Sequence, residues 1–266
     1  MKQSDLLTNL PSDIIIDILS RLPIPTIIRC KSVCKPWLHL LRSHEFATHH
    51  LSTSAPALAV FQYKITSELY DIYEFEDDDQ HYKLLTSFMP PCRGMIQGSA
   101  NGFLVLRDLS LRPHGLSICN PITREYMEIH SPPEFDYTYP QVAAFGFGAS
   151  RITGQHKVVR VFHGREIPEC HVYTLGTGSW RSVASSAPLR YGNGSIGEFL
   201  NGNLHWLVFD SNGKPWISCF DLETELFSII SPPLPLRTQR WPVAGVFAFQ
   251  DKLCVCDNSS EDEIVV

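Results

Sequence analysis

Apolar and polar residues repeat with two different periods along this chain, and the period changes near residue 55. Before it, Ile14, Ile15, Ile18, Leu19 and Leu22 recur at helical spacing, with Asp17 and Arg21 on the other side. Pro11 can open this helix because a first-turn proline gives up no hydrogen bond. Ser12 and Asp13 place polar groups and an acid at its positive end. Pro23 and Pro25 stop it. Thr26 is placed to cap a second short helix through Ile27, Ile28 and Cys30. A third helix is predicted from about Val33 to Leu41, with Pro36 in its first turn and Trp37, Leu40 and Leu41 on its apolar face. Ser43 is placed to cap a last turn or two carrying Phe46 and Leu51. These are more large apolar side chains than a unit of ~40 residues buries within itself. Part of that surface must pack on the rest of the chain or on a second protein, and periodicity leaves the two open.

From Pro56 onward the period shortens to two. ALAVFQY (57–63) and ELYDIYEF (68–75) read as strands joined by a short turn. The acidic run Glu76 to Asp79, with His81 nearby, has carboxylates of the kind that hold calcium or magnesium. It lacks the alternating spacing and the glycine of an ion loop, so a solvated hairpin end is the better reading.

Three segments then align without gaps: NPITREY from Asn120, TLGTGSW from Thr174 and DLETELF from Asp221. Each has threonine at its fourth position (Thr123, Thr177, Thr224) and an aromatic at its seventh (Tyr126, Trp180, Phe227). Each lies between two apolar strands, so each is a hairpin with a tight turn of Asn/Asp/Gly/Thr chemistry. Upstream of two of them stand Asn101-Gly102 and Asn201-Gly202, hairpin signals because both residue types accept positive φ. FQDKLCVCD (249–257) is a degenerate third copy. The middle repeat has FGFGASRITGQHKVVRVF (145–162) instead, where the glycines are expected to turn the chain. Units of about four short strands every ~50 residues point to propeller blades.

Composition narrows the function. The chain of 266 residues has a net charge of −6 and offers no basic face for nucleic acid. No apolar run reaches the ~20 residues of a membrane span, and the acid-bearing N-terminus is unlike a signal peptide. A cytoplasmic or nuclear location with reduced cysteines follows. The eight cysteines form no CxxC pair, so they read as buried apolar residues rather than a zinc site. Nucleophile-elbow, Walker, HExxH and Rossmann patterns are missing, and no metal or cofactor is expected. His205, between Leu204 and Trp206, is read as a structural histidine on one sheet face. Trp180 and Trp206 lie in strands and read as core. Trp216 and Trp241 lie near turns and prolines and are the candidates for contact with a target.

Two resemblances add to this. Leu10-Pro11, the helix from Asp13 to Leu22, Leu22-Pro23, and Val33-Cys34-Lys35-Pro36-Trp37 followed by Phe46 and His50-Leu51 resemble an F-box. That resemblance implies insertion into the Skp adaptor of a Skp–cullin–F-box ubiquitin ligase. The adaptor-facing residues would be Leu10, Pro11, Ile14, Ile15, Ile18, Leu22, Pro23, Ile28, Val33, Cys34 and Trp37. Ile24 and Pro25 depart from the lysine and serine frequent in that family, which alters the loop. Beyond Gly98, the phrases GSANGFLVL, ICNPITREY, VYTLGTGSWRSV, FLNGNLHWL and FDLETELFSI resemble the F-box-associated domain of plant F-box proteins, which is kelch-like.

The expected fold is thus α+β and multi-domain. A helical F-box domain (1–51) precedes an all-β, propeller-like F-box-associated domain (52–266). Its last repeat is expected to be incomplete, because LCVCDNSSEDEIVV opens a further outer hairpin at Glu263 to Val266 and stops, leaving an exposed sheet edge. The implied function is that of a non-enzymatic substrate receptor, binding the adaptor through the head and a target protein through the β domain. The alternatives are an adaptor-binding protein without ligase function and a propeller-type enzyme.

Overall fold

The computed structural model of the chain describes residues 10–53, 57–58, 69–75, 82–90, 92, 94–108, 115–130, 142–162, 168–184, 189–192, 195–232, 244–249 and 251–257. It divides into two compact units, Met1–Pro90 with Asn120–Glu125, and Pro91–Cys119 with Tyr126–Val266.

The first unit begins with four helices: α1 (Ser12–Ser20), α2 (Ile24–Cys30), α3 (Lys35–Leu41) and α4 (His44–Thr53). Pro11 is the N-cap of α1, and Asp13 lies in its first turn, where an acid complements the positive end. α2 starts earlier than Thr26. Pro23 takes the N-cap position and Pro25 the first turn, so Thr26 lies inside the helix and its amide donates to the Pro23 carbonyl at 2.8 Å. The preset φ of a first-turn proline suits this start, and no side chain caps it. α3 begins at Lys35 with Cys34 as an extended N-cap, so Val33 is left in the preceding turn. Ser43 does cap α4, its Oγ accepting the Phe46 amide at 3.1 Å, and the helix runs ten residues rather than one or two turns.

The same unit holds a sheet in the order β1 (Ala57–Leu58), β2 (Tyr70–Phe75), β3 (Tyr82–Phe88). β2 and β3 pair antiparallel, Tyr70 opposite Phe88 and Phe75 opposite Tyr82. The acidic run at 76–79 falls between these strands and outside the described residues, as does most of the strand expected at 57–63.

The repeat is a run of four antiparallel strands; the first copy is a sheet of its own, and the second and third join into one nine-stranded sheet. The first copy is β4 (Gly94–Ala100), β5 (Phe103–Asp108), β6 (Leu116–Asn120), β7 (Glu125–Ile129). The second is β8 (Val142–Ala149), β9 (His156–Phe162), β10 (Glu169–Thr174), β11 (Trp180–Val183). After the short β12 (Arg190–Tyr191), which pairs with β14, comes the third: β13 (Ser195–Leu200), β14 (Asn203–Phe209), β15 (Pro215–Asp221), β16 (Phe227–Ile230). β17 (Ala244–Phe249) and β18 (Lys252–Asp257) form a hairpin that begins a fourth. Residues 258–266, where a further hairpin was expected, lie outside the described residues.

The first strands of the second and third copies, β8 and β13, pair in parallel, with Ala144 opposite Ser195 and Gly146 opposite Gly197. Glycine makes this approach possible. A Cβ on Gly146 would lie 2.6 Å from Trp206, one on Gly197 2.4 Å from Trp206, and one on Gly148 2.4 Å from Phe199. The glycines of FGFG therefore sit inside β8 and let side chains from the neighbouring copy reach its backbone. They do not turn the chain. The turn is Ser150–Gln155, and Gly154 is its residue at positive φ.

That turn is a fourth copy of the repeated hairpin motif. Ser150 Oγ accepts the amides of Ile152 and Thr153, and the Gly154 amide donates to the Ser150 carbonyl. Asn120 and Asp221 do the same with their Oδ1, for Ile122 and Thr123, and for Glu223 and Thr224. In all four turns the fifth residue has positive φ: Arg124, Gly154, Gly178 and Glu225.

Two apolar cores lie between the copies. Ala144, Val159, Val161, Val172, Leu204, Trp206 and Phe220 meet between the second and third. Val105, Leu116, Ile118, Phe145, Phe147, Val158 and Tyr173 meet between the first and second. Trp206 is 1 % exposed and its Nε1–H donates to the Phe145 carbonyl, so its polar atom is satisfied across the parallel pair. Arg160 of β9 is buried, with its guanidinium 4.4 Å from the Trp180 ring and 5.9 Å from that of Phe145. Burial lowers its pKa to about 9, which still leaves it charged at neutral pH beside two ring faces.

Candidate functional site: the helical head and the loop end of the repeats

Burial sorts the apolar residues of the head into two sets. Ile16, Leu19, Ile27, Cys30, Leu41 and Phe46 form its core, each no more than 9 % exposed. Among them is Ile16, which the stripe read from spacing leaves out. The imidazole of His50 stacks on Phe46, centroids 5.7 Å apart, and its Nδ1 bonds the Ser20 carbonyl at 3.1 Å, tying α4 to α1.

None of the eleven residues assigned to an adaptor belongs to the buried set. Ile14 and Ile18, one helical turn apart on α1, are 43 % and 46 % exposed, and Val33 is 63 % exposed. Pro11 and Pro23 are exposed too. Leu10, Ile15, Leu22, Ile28, Cys34 and Trp37 are half-buried, and Ile15, Leu22 and Trp37 pack against the head core. The head thus keeps one apolar set for itself and presents another. On the polar side of α1, Arg21 Nη2 meets Asp17 Oδ2 at 2.8 Å, an exposed pair worth little.

In the repeat unit, antiparallel neighbours fix where loops go. Within each copy the turns after the first and third strands share one end of the sheet. The turns after the second strand, and the connections to the next copy, share the other. Parallel β8 and β13 orient the second and third copies alike. The first end carries the short motif turns; the second carries Asp210–Trp216. There Trp216 is half-buried against the core between copies, its Nε1–H facing Asp210 Oδ2 at 3.4 Å. Lys214 Nζ covers its ring at 4.3 Å. Hydrogen bonds from the Lys214 amide, the Trp216 indole and the Asn212 amide hold the Asp210 carboxyl below its ordinary value. Trp241 lies outside the described residues; the sequence puts it in the connection from β16 to β17.

Burial governs the thiols of Cys119 and Cys170 and the contact between His205 and Cys219. Burial pushes the thiols of Cys119 and Cys170 up to about 12, so neither is a thiolate at neutral pH. His205 is 7 % exposed, with Nδ1 at 3.3 Å from the Glu198 carbonyl and Nε2 at 3.6 Å from Cys219 Sγ. Burial lowers its pKa and raises that of Cys219, the reverse of an activated thiol–imidazole pair. Among the described residues no three His, Cys, Asp or Glu side chains are grouped to hold a metal ion. No helix among them is long and apolar enough to cross a membrane.

A four-helix head followed by repeated units of four antiparallel strands, the blade unit of a β-propeller, is the class these observations define. Residues 7–49 match the F-box domain family, and residues 52–265 match the F-box associated beta propeller domain family. The chain belongs to the F-box proteins that carry an F-box associated β-propeller domain. It is 31 % identical over 264 residues to the F-box protein At3g07870 of Arabidopsis thaliana, covering 85 % of this chain and 61 % of that protein. It is 26 % identical over 237 residues to the putative F-box protein At3g16210 of the same plant, covering 86 % of this chain and 62 % of the relative. The chain therefore spans about three fifths of the length of these two relatives.

Proposed function

We propose that this chain is the substrate-recognition subunit of a Skp–cullin–F-box ubiquitin ligase, itself non-catalytic and acting in the cytoplasm or nucleus. The observation that carries the reading is the second apolar set of the head. Ile14, Ile18 and Val33 stay exposed although the head has a separate core of its own. Exposed isoleucines one turn apart, with a half-buried tryptophan packed on the core of the same module, form a surface that gains by burial against a partner. The adaptor-facing residues are Leu10, Pro11, Ile14, Ile15, Ile18, Leu22, Pro23, Ile28, Val33, Cys34 and Trp37. The partner is a Skp-type adaptor and, through it, a cullin–RING ligase.

The repeat domain would hold the target at the end bearing the longer connections, with Trp216 and Trp241 as contact residues. Catalysis in such an assembly is proximity: target lysines are kept at high effective concentration beside a thioester formed elsewhere. The test is co-purification of the chain with a recombinant plant Skp-type adaptor. Ile18→Asp with Val33→Asp is the informative variant, because both sites are exposed and the head core is spared. Binding by the wild type and loss in the folded variant supports the reading. Undiminished binding by the variant overturns the residue assignment.

A further inference from the structure

The helical head is a positively charged part of an acidic chain. Residues 1–51 carry six Lys/Arg and four Asp/Glu, a net of +2 in a chain of net −6, so the remainder holds −8. From Ile18 to His44 there is no carboxylate at all, and the five cations of this stretch are Arg21, Arg29, Lys31, Lys35 and Arg42. Arg21 is offset by Asp17. Among the described residues the other four have no ion-pair partner. Arg29, Lys35 and Arg42 are exposed and Lys31 is half-buried.

These charges lie close in sequence to exposed and half-buried apolar residues of the head. Lys31 and Lys35 stand two residues to either side of Val33, the most exposed large apolar side chain among the described residues of the head, and Arg29 follows Ile28. Four like charges concentrated in so small a module repel one another, and among the described residues no carboxylate forms an ion pair with them. We infer that the partner seated on the head presents an apolar groove edged by carboxylates, and that Arg29, Lys31, Lys35 and Arg42 steer it into place. The inference rests on the adaptor-docking reading and adds the charge chemistry of the adaptor's rim. Exposed pairs contribute little to affinity, so the effect resides in the association rate and its salt dependence.

The test measures association and dissociation of the full chain with a recombinant Skp-type adaptor at about 50 and about 500 mM salt, where the screening length shrinks from well above to well below 10 Å. The association rate constant is expected to fall about tenfold or more across that range, with dissociation nearly unchanged. Arg29→Glu with Lys35→Glu should lower the low-salt rate about tenfold and flatten the salt dependence. Arg29→Gln with Lys35→Gln should fall between. Lys252→Glu, a single charge reversal at an exposed site on β18, should match the wild type. Val33→Asp should instead speed dissociation. Circular dichroism establishes that each variant is folded.

Salt-independent association that the double reversal leaves unchanged, while Val33→Asp still weakens binding, overturns the inference and spares the docking reading. A folded wild type that fails to bind at either salt concentration overturns both. Tighter capture of a duplex DNA probe than of the adaptor at low salt would reassign the charges to nucleic acid and overturn the inference.

Discussion

Lys157 of β9 and Glu225 of the β15–β16 turn meet at 2.8 Å across the boundary between two sheet copies. The lysine ammonium also donates to the Leu222 carbonyl, and Arg181 of β11 donates to the same glutamate. Glu225 sits at φ 59°, the positive φ shared by the fifth residue of every motif turn described. Ser150 and Glu223 join the same two copies beside it. The motif turns therefore fasten one copy to the next, while the opposite end is left to the longer connections.

Cutting this fastener should destabilise the repeat domain. Lys157→Met leaves Glu225 with Arg181 alone and is expected to cost about 2 kcal/mol, below the 3–5 of a fully buried pair because Arg181 is half exposed. Burial raises the Glu225 pKa, but the hydrogen bonds from Arg181 and Lys157 outweigh it and hold the group below its ordinary value. A depressed carboxyl contributes stability above the unfolded pKa and loses it as pH falls through the folded one. Thermal melts from pH 7 to pH 3 should show this loss in the wild type and a flatter profile in Glu225→Gln.

His205 should titrate below 6.5, because burial disfavours its charged form. Its contribution is complete above the unfolded value and declines as pH falls from there through the folded value. Glu198 works the opposite way in the carboxylate range, since burial raises its pKa while the Ala248 amide partly opposes this. The melting temperature mixes the two, so the direct check is an NMR titration of the His205 ring. A pKa above 6.5 would contradict the buried placement.

Close approach at the first strands predicts a sharp glycine requirement. Gly197→Ala drives a methyl to within 2.4 Å of the Trp206 ring and should cost about 1–3 kcal/mol in chemical denaturation. Arg124→Gly should act the other way, because Arg124 is exposed at φ 61° with no need of its Cβ. A gain of about 0.5–1 kcal/mol is expected there, from relief of left-handed strain against the entropy of glycine.

The two apolar sets of the head should separate under mutation. Leu19→Ala, at a site 1 % exposed, should cost about 2–5 kcal/mol and unfold the head. Ile14→Ala, 43 % exposed, should change stability by less than about 1 kcal/mol and yet weaken adaptor binding. Melts and binding measured on the same samples check both.

Local chemistry alone settled much of this protein. Asn101-Gly102 and Asn201-Gly202 turn at positive φ wherever the chain places them, so hairpins and blade period follow from the sequence. Prolines 11, 23, 25 and 36 bracket the helix starts because their ring fixes φ without reference to tertiary context. The order of motifs from Leu10 to Leu51 identified the head for the same reason: each signal is local.

Only the tertiary structure decided phase and partnership. Ile14, Ile15 and Ile16 are consecutive, so spacing could not say which of them faces inward; packing against Leu41 and Phe46 makes Ile16 core and leaves Ile14 outside. The FGFG glycines look like turn residues until β13 and Trp206 are brought against β8. SRITG carries serine rather than Asn or Asp, so its kinship to the other turns shows only in its hydrogen bonds. Lys157 and Glu225, 68 residues apart, become a pair only once β8 and β13 join the two copies. Turn propensity is a property of a few neighbouring residues. Which of several apolar or charged side chains is buried depends on what long-range packing sets against it.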